Sequence, residues 1–597
     1  MKKTLLPLIF CVISFTGLTQ TFSLFDSDSE GFFGSNVIWC DFDFDGDSDF
    51  IINGLTASGT IGISFGGESI IYENTGDCFE VFDTLNIYEK GALQINDFNA
   101  DNISDVLSTG FTVVSEWVTD RHSEIYLNYS HFDFEIFSSA SLPGISHGCA
   151  TSGDLDNDGD IDIVIFGIDT NNIYGIRTFI KTELGYESYE LPFSTDMREV
   201  EKIEIFDIDT DGDNDILFCG NNLETSIHGF KIYKNNSTLN FELLESVLNT
   251  SFSPSHFSIG DINSDGIMDI VTSRLASCYP DLEPDISAFT NSVNLEFNPI
   301  INFSIPPCAL GDMAFGDINN DGQSDILISG RAVEFGDYQE DITKIYRNYN
   351  GFFQDTYAEL TTFTSGSCSF SDFDYDGDLD FLVCGFDVSE SDLIRTYIYK
   401  NNLYTKGEAK NLQPPTNLTT SFSDDGITFS WSPVLSPTPH TYNLYVGTTP
   451  GGTDIMSPSS NIVTGKMHSP KYGNVGFNTS YTIKNLYDGT YYWSVQSVNA
   501  AYRSSEFPIE ETVLYSGIAN NNSKKRILLS ENPLTESSYI NIPEHTNNSK
   551  ATLVIYSLDG KLITKKESFG DKINLNKSTF NQGYYFYQLF IEESFYS

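Results

Sequence analysis

The chain is 597 residues long and carries a formal net charge of −53, from 84 acidic and 31 basic residues. A polyanion of this size is repelled by nucleic acid and by anionic membranes, so neither is expected as a partner. The length implies several domains, and the nine Cys show no C-x-x-C spacing that would suggest a zinc site.

Residues 1–20 begin Met1-Lys2-Lys3 and continue into an apolar run from Leu5 to Phe15, the pattern of a secretory signal peptide. A membrane span needs about 20 apolar residues. This run is shorter, and no transmembrane segment is expected elsewhere. The chain is therefore expected outside the cell or on its outer surface, exported through the periplasm. An oxidising compartment permits disulfides. Cys368 and Cys384 flank one loop symmetrically and form a plausible pair, with small buried hydrophobes as the alternative.

From residue 21 to about 405 one acidic loop recurs. Its fullest form is Asp154-Leu155-Asp156-Asn157-Asp158-Gly159-Asp160-Ile161-Asp162, with carboxylates at positions 1, 3, 5 and 9. The other copies carry Asp41, Asp43, Asp45 and Asp49; Asp97, Asn99, Asp101 and Asp105; Asp207, Asp209, Asp211 and Asp215. Further along come Asp261, Asn263, Asp265 and Asp269; Asp317, Asn319, Asp321 and Asp325; and Asp372, Asp374, Asp376 and Asp380. Carboxylates packed this closely repel one another unless a cation sits among them. Hard oxygen donors on alternate residues of a tight loop suit Ca²⁺, with the position-7 carbonyl as a further ligand, so up to seven Ca²⁺ ions are expected. Position 6 must turn with positive φ, hence glycine, or Asn102 in the second copy. An EF-hand is excluded, because position 12 is never Glu and apolar, β-branched strands flank the loop.

Position 1 recurs at intervals of 53 to 57 residues. Strand-rich repeats of that period indicate a β-propeller. Each repeat reads as four strands: one before the loop, one after it, a third ending in an aromatic-x-Asn signature such as Tyr233-Lys234-Asn235, and a fourth starting near a Phe such as Phe79, Phe134 or Phe241. The third repeat lacks the signature. The seventh lacks a fourth strand, whereas Thr21 to Phe25 precede the first repeat in excess. The N-terminal strand is therefore expected to complete the seventh repeat, because an open edge is a liability.

This plan resembles the FG-GAP/VCBS repeat family, whose best-known members resemble the integrin α-subunit propeller. The resemblance covers roughly residues 21–405 and implies seven blades, metal loops on one face and a partner on the other. Trp117, Arg121, His122, Arg274, Tyr279, Arg331 and Tyr338 fall in segments expected to form that partner face. They mix the aromatic and basic chemistry that commonly anchors interfaces.

Residues 412–516 have no acidic loop. Trp431 follows an alternating strand, and Leu486 to Val495 looks like the corner of a β-sandwich, with Tyr491 as the corner tyrosine and Trp493, Val495 and Ser497 facing inward. This stretch resembles a fibronectin type III domain, which implies a spacer. Residues 527–597 contain Asn532-Pro533, Ile555 to Lys561 and Gly583-Tyr584-Tyr585-Phe586. They resemble the C-terminal sorting domain of the type IX secretion system, which implies that machinery as a partner. The basic-apolar terminal strand expected of such a domain is missing.

The expected architecture is thus all-β: a seven-bladed β-propeller, a fibronectin type III-like β-sandwich and a small C-terminal β-sandwich sorting domain. The eight His are scattered, and no HExxH, G-x-S-x-G or P-loop pattern occurs. The expected function is calcium-dependent adhesion or binding to an extracellular glycan or protein. A polysaccharide-acting lyase or hydrolase on the same scaffold is the alternative.

Overall fold

The computed structural model describes most of residues 21–422 and 426–515, together with the strands between 539 and 596. Residues 1–20, where the signal peptide is expected, lie outside the described residues, as do the linkers 404–410 and 516–538. The chain divides into two compact units, Met1–Phe422 with Gly426–Tyr515, and Ser423–Asp425 with Ser516–Ser597. All regular structure among the described residues is β.

Each repeat folds as one antiparallel sheet in chain order. Repeat one runs Phe33–Cys40, Asp49–Ala57, Phe65–Asn74 and Phe79–Leu85, and repeats four, five and six follow the same four-strand plan. The fourth strands of repeats one, two and four start at Phe79, Phe134 and Phe241, as the sequence suggests. A two-residue strand, Ile145–Ser146, pairs with the third strand of repeat two and the second strand of repeat three, joining those sheets.

The second strands are buried on both faces, which is why they read as continuous apolar runs rather than alternating ones. Alternate residues face opposite neighbours. In repeat seven, Phe381 and Val383 pack with Leu327 and Ile345 of repeat six. Leu382 and Ile398 pack with Trp39 and Phe50 of repeat one. Equivalent clusters join repeats one to two, two to three, three to four, four to five and five to six. The sheets therefore form a ring in which the last packs on the first.

The N-terminal strand Phe22–Asp26 pairs antiparallel with Leu393–Asn401, in the register Phe22↔Asn401 and Leu24↔Tyr399. Phe22 packs edge-on to Phe381 at 5.4 Å, and Phe25 meets Phe373 at 4.8 Å. The expected strand exchange is thus present. The plausible Cys368–Cys384 disulfide is not formed; their Sγ atoms face the Leu327 and Ser367 carbonyls instead. Cys368 stands opposite Val383, not Cys384. The one-residue offset sends the two side chains to opposite faces of the sheet, Cys368 towards repeat six and Cys384 towards repeat one.

After the ring come two three-stranded sheets, Thr416–Phe422 with Gly426–Ser432 and Ser480–Lys484, and Thr441–Gly447 with Gly489–Val498 and Glu511–Tyr515. They pack face to face around Phe429, Trp431, Leu444, Trp493 and Val495. The Tyr491 hydroxyl donates to the Tyr487 carbonyl at 2.7 Å, closing the corner expected from the sequence.

The second unit contains a four-stranded sheet of Leu562–Ser568, Ala551–Ser557, Tyr585–Ile591 and Ser594–Tyr596, and a pair formed by Tyr539–Asn541 and Lys572–Asn574. Its last strand pairs Phe595 with Phe590, so the acidic end of the chain does supply a short terminal strand. Asp559-Gly560, a pair typical of a hairpin turn, lies outside the described residues.

Because the N-terminal strand holds the ring shut, deleting residues 21–28 should lower the melting temperature of the whole repeat region in one cooperative step. Differential scanning calorimetry would read this. A variant that loses only signal from its first residues, with the main transition unmoved, would contradict closure by exchange.

Candidate metal centre

Each acidic loop is shaped by backbone groups before any ion is considered. In repeats two to seven the position-1 carboxylate accepts the position-6 N–H at 2.6 to 3.0 Å. The position-6 glycines have φ of +83° to +99°, as expected, and Asn102 has +66°. A second left-handed residue sits at position 4, where Phe44, Ala100, Asn157, Thr210, Ser264, Asn320 and Tyr375 have φ of +53° to +66°. The mixed side chains at that position gave no sign of it.

The position-9 aspartates are fully buried. One oxygen accepts the position-2 N–H at 2.8 to 3.3 Å in all seven loops. The other accepts a third-strand N–H at 2.7 to 2.9 Å, from the signature Asn in six repeats and Lys181 in the third. The signature Asn side chain then reaches the previous repeat. Asn74, Asn128, Asn235, Asn291, Asn348 and Asn401 donate to the position-2 carbonyls of Phe373, Phe42, Leu155, Ile208, Ile262 and Ile318 at 2.7 to 3.1 Å. Repeat three, which lacks the signature, uses the Lys181 ammonium to reach the equivalent carbonyl of Phe98.

The side chains at positions 1, 3 and 5 or 9 converge in the loops with four aspartates. Carboxylate oxygens lie within 4.8 Å of one another in Asp41/Asp43/Asp45, Asp154/Asp156/Asp162, Asp207/Asp209/Asp215 and Asp372/Asp374/Asp380. Buried Oδ1 atoms of Asp41, Asp156 and Asp209 have no hydrogen-bond partner. An all-oxygen, anionic donor set with unsatisfied lone pairs fits a hard divalent cation. Burial, then repulsion from Asp43 and Asp45, pushes Asp41 up to about 7. Burial, opposed in part by the Asn74 and Phe42 N–H groups, pushes Asp49 up to about 9.

Relief of this repulsion differs among repeats. The Lys234 ammonium binds Asp209 and, at 2.8 Å, Asp211. The Lys400 ammonium binds Asp374 and, at 3.2 Å, Asp376. In the loops with Asn at position 3, the amides of Asn99, Asn263 and Asn319 donate to the position-5 aspartates at 2.9 to 3.0 Å.

The two-sheet sandwich sits on the acidic loops, hydrogen-bonded to six of them and close to the other. Asp41 N–H donates to the His468 carbonyl at 2.8 Å, and Lys466 Nζ donates to Gly46 O at 2.9 Å. Asn102 Nδ2 donates to Ser460 O at 2.9 Å. Tyr481 OH donates to Asp154 Oδ2 at 2.9 Å, and Asn478 Nδ2 to Asp207 Oδ2 at 2.6 Å. Asp317 N–H meets Ala500 O at 3.0 Å, and Tyr375 OH meets Met467 O at 3.3 Å. Repeat five is approached at Gly266, where a Cβ would lie 3.5 Å from Pro439. At Gly159 and Gly322 a Cβ would lie 2.2 Å from Ile455 O and 2.4 Å from Thr438 Oγ1, so the position-6 glycines also admit the sandwich.

Behind the loops, a cavity of about 440 Å³ is lined by inner-strand residues of the ring and by sandwich residues 456–476 and 502. Lys202, Glu204 and Asp312 line it; Lys202 Nζ lies 3.3 Å from Glu204, and Asp312 lies 3.2 Å from the His256 ring. Neither pair is marked by a motif: Lys202 and Glu204 lie two residues apart on one inner strand, and His256 and Asp312 come from two different inner strands.

Of the residues expected on the partner face, Arg121 and His122 lie within the third strand of repeat two, Arg274 ends a second strand, Arg331 lies in a second strand, and Tyr338 begins a third strand. These hairpins run further than the sequence suggested. Trp117 and Tyr279 lie outside the described residues. Arg121 ties repeat two to repeat three through Ser146 Oγ at 2.9 Å, Asp169 O at 2.6 Å and Asn172 Oδ1 at 2.9 Å. Arg331 pairs with Asp341 across its own hairpin at 2.8 Å. In an antiparallel sheet these second-to-third hairpins point away from the first-to-second loops.

Residues 207–272, from position 1 of the fourth loop onward, match the FG-GAP-like repeat family. Residues 532–596 match the secretion system C-terminal sorting domain, which indicates export to the cell surface or the extracellular space. No curated protein matches the chain. Among solved structures, a lectin from Burkholderia pseudomallei is similar over 63% of this chain and 98% of its own, at 8% identity and TM-score 0.41. A mutant of AofleA from Arthrobotrys oligospora is similar over 56% and 88%, at 10% identity and TM-score 0.35. A protein of unknown function from Dyadobacter fermentans is similar over 64% and 98%, at 7% identity and TM-score 0.35. No helix among the described residues is long and apolar enough to cross a membrane.

Two outcomes follow from this geometry. Asn235→Ala should cost roughly 2–3 kcal/mol in chemical denaturation, because it leaves a buried carbonyl of the neighbouring repeat unpaired. Lys181→Asn should cost much less than Lys181→Ala. The second outcome concerns pH. A carboxyl whose folded pKa is raised contributes stability below its unfolded pKa, near 4, and loses it as pH rises through the folded value. With a chelator, the melting temperature should therefore fall as pH rises towards and past 7, the value for Asp41. Cation binding needs the deprotonated loop, so the gap between Ca²⁺ and chelator curves should widen with pH. Parallel curves would contradict this.

Proposed function

We propose that the chain is an exported, calcium-binding seven-bladed propeller that binds an extracellular glycan or protein through the face opposite its acidic loops. The observation that carries this reading is the seat of the sandwich over the ring of acidic loops, six of which it hydrogen-bonds. With that face covered, the second-to-third hairpins are the end of the ring left for a partner. The FG-GAP-like match and the repeated donor set support Ca²⁺ as the cation, held by positions 1, 3, 5 and 9 with the position-7 carbonyl. Repeats one and three, with four carboxylates and no lysine or amide bridging positions 3 and 5, depend most on the ion. The sandwich is read as a fibronectin type III-like domain on its two-sheet packing and its corner tyrosine. The last domain hands the chain to the type IX machinery.

On this reading the cation is structural and the partner is bound by side chains at the hairpin end. Trp117, Tyr279 and Arg274 remain the candidate anchors. Arg121 is committed to joining repeats, and its replacement by Ala should destabilise the ring by about 2 kcal/mol. A glycan array and an extracellular-protein pull-down, each with and without Ca²⁺, test the reading. Capture should be abolished by Trp117→Ala with Arg274→Ala at unchanged melting temperature. Unchanged capture by that double variant would remove this face from consideration. The carboxylates of Glu204 and Asp312, which line the cavity behind the loops, favour the polysaccharide-acting alternative. Turnover of a polysaccharide that is lost in Glu204→Gln or Asp312→Asn would establish it in place of simple binding.

A further inference from the structure

The sandwich contributes more than cover. We propose that Tyr481 and Asn478 are positioning residues for the metal sites of repeats three and four, so that cation binding and docking of the sandwich are one linked equilibrium. The inference rests on the calcium reading above.

The Asp154 carboxylate is aimed by three donors. Its Oδ1 accepts the Asn157 N–H at 2.7 Å, and its Oδ2 accepts the Gly159 N–H at 3.0 Å and the Tyr481 hydroxyl at 2.9 Å. Asp207 is held alike, with Oδ1 accepting the Asp211 N–H at 3.1 Å and Oδ2 accepting the Gly212 N–H at 2.8 Å and the Asn478 amide at 2.6 Å. Each loop supplies two donors, and the third arrives from another domain. Repeat five gives the internal comparison. Asp261 is aimed by its own loop, through the Asp265 and Gly266 N–H groups at 3.1 and 3.0 Å.

The sandwich donors are rigid. Tyr481 is buried in the sandwich core and sits in a strand paired with Phe429. Three residues on, Lys484 grips both loops. Its N–H donates to Asn157 O at 2.7 Å, and its ammonium reaches Asp213 Oδ1, at position 7 of the fourth loop, at 3.2 Å. A carboxylate fixed in orientation before the ion arrives loses less freedom on binding it, and loss of such an outer partner commonly costs about 10- to 100-fold in metal affinity. By reciprocity, the ion must strengthen the sandwich contact by the same factor that the sandwich strengthens the ion.

Hydrogen-exchange mass spectrometry of the full exported chain in Ca²⁺ and in chelator, with calorimetric Ca²⁺ titration of the parent and of Tyr481→Phe/Asn478→Ala, tests the linkage. In chelator, exchange should rise in the loops and also in sandwich residues 453–478, while core strands 426–432 and 489–498 stay protected. In the double variant two sites should weaken about 10- to 100-fold, the remainder titrating as in the parent. If Ca²⁺ protects the loops but leaves 453–478 unchanged, and the variant titrates like the parent, the linkage is wrong while the calcium reading stands. If the parent takes up no Ca²⁺, both fall. The exchange comparison uses the unaltered chain and decides even if the variant does not fold.

Discussion

The buried position-9 aspartate is the constraint on which the ring depends. A fully buried carboxyl must have its oxygens paired, and here two backbone N–H groups do so, one from its own loop and one from the third strand. That second bond fixes where the third strand ends. The Asn placed there, having given its N–H to the aspartate, has its amide directed at the neighbouring repeat. Loop shape, strand register and contact between sheets are therefore one linked arrangement. Repeated seven times, and joined from repeat one back to repeat seven by Asn74, it closes a circle. The N-terminal strand supplies the one sheet strand the last repeat lacks.

Much of this was legible because it recurs. The loop period, the aromatic-x-Asn motif and the missing fourth strand of repeat seven can each be read by comparing one repeat with the next. What could not be read lacks a pattern. Lys181 stands in for the signature Asn through an ammonium that reaches the same carbonyl, a substitution of function with no likeness of residue. The left-handed residue at position 4 falls on side chains as different as Phe44 and Ser264, because the loop hydrogen bonds impose the turn regardless of the side chain. The cysteine pair failed on a one-residue register offset that symmetry of spacing cannot reveal.

The seat of the sandwich was the largest thing hidden. Its contacts run through backbone carbonyls such as His468 and Ala500, and through single side chains in an irregular segment between Gly447 and Ser480, none of which forms a motif. Asn102 shows how such information is masked. At sequence level it is a tolerable replacement for glycine in a left-handed turn. In the structure its amide bonds to Ser460, so the exception to the glycine rule is also an interface residue. A face that would otherwise display seven anionic loops to solvent is covered by tyrosine, asparagine and lysine donors. This separates the acidic-loop end of the ring from the end formed by the second-to-third hairpins.

The most direct test of this account is an experimental structure of the full exported chain grown in Ca²⁺, with anomalous scattering used to locate the ions. The account predicts anomalous peaks among the position-1, -3 and -5 side chains, strongest in repeats one and three, with the sandwich seated over them and the Tyr481 hydroxyl on Asp154. Loops free of anomalous density, or ions bound while the sandwich lies away from the loop face, would contradict it.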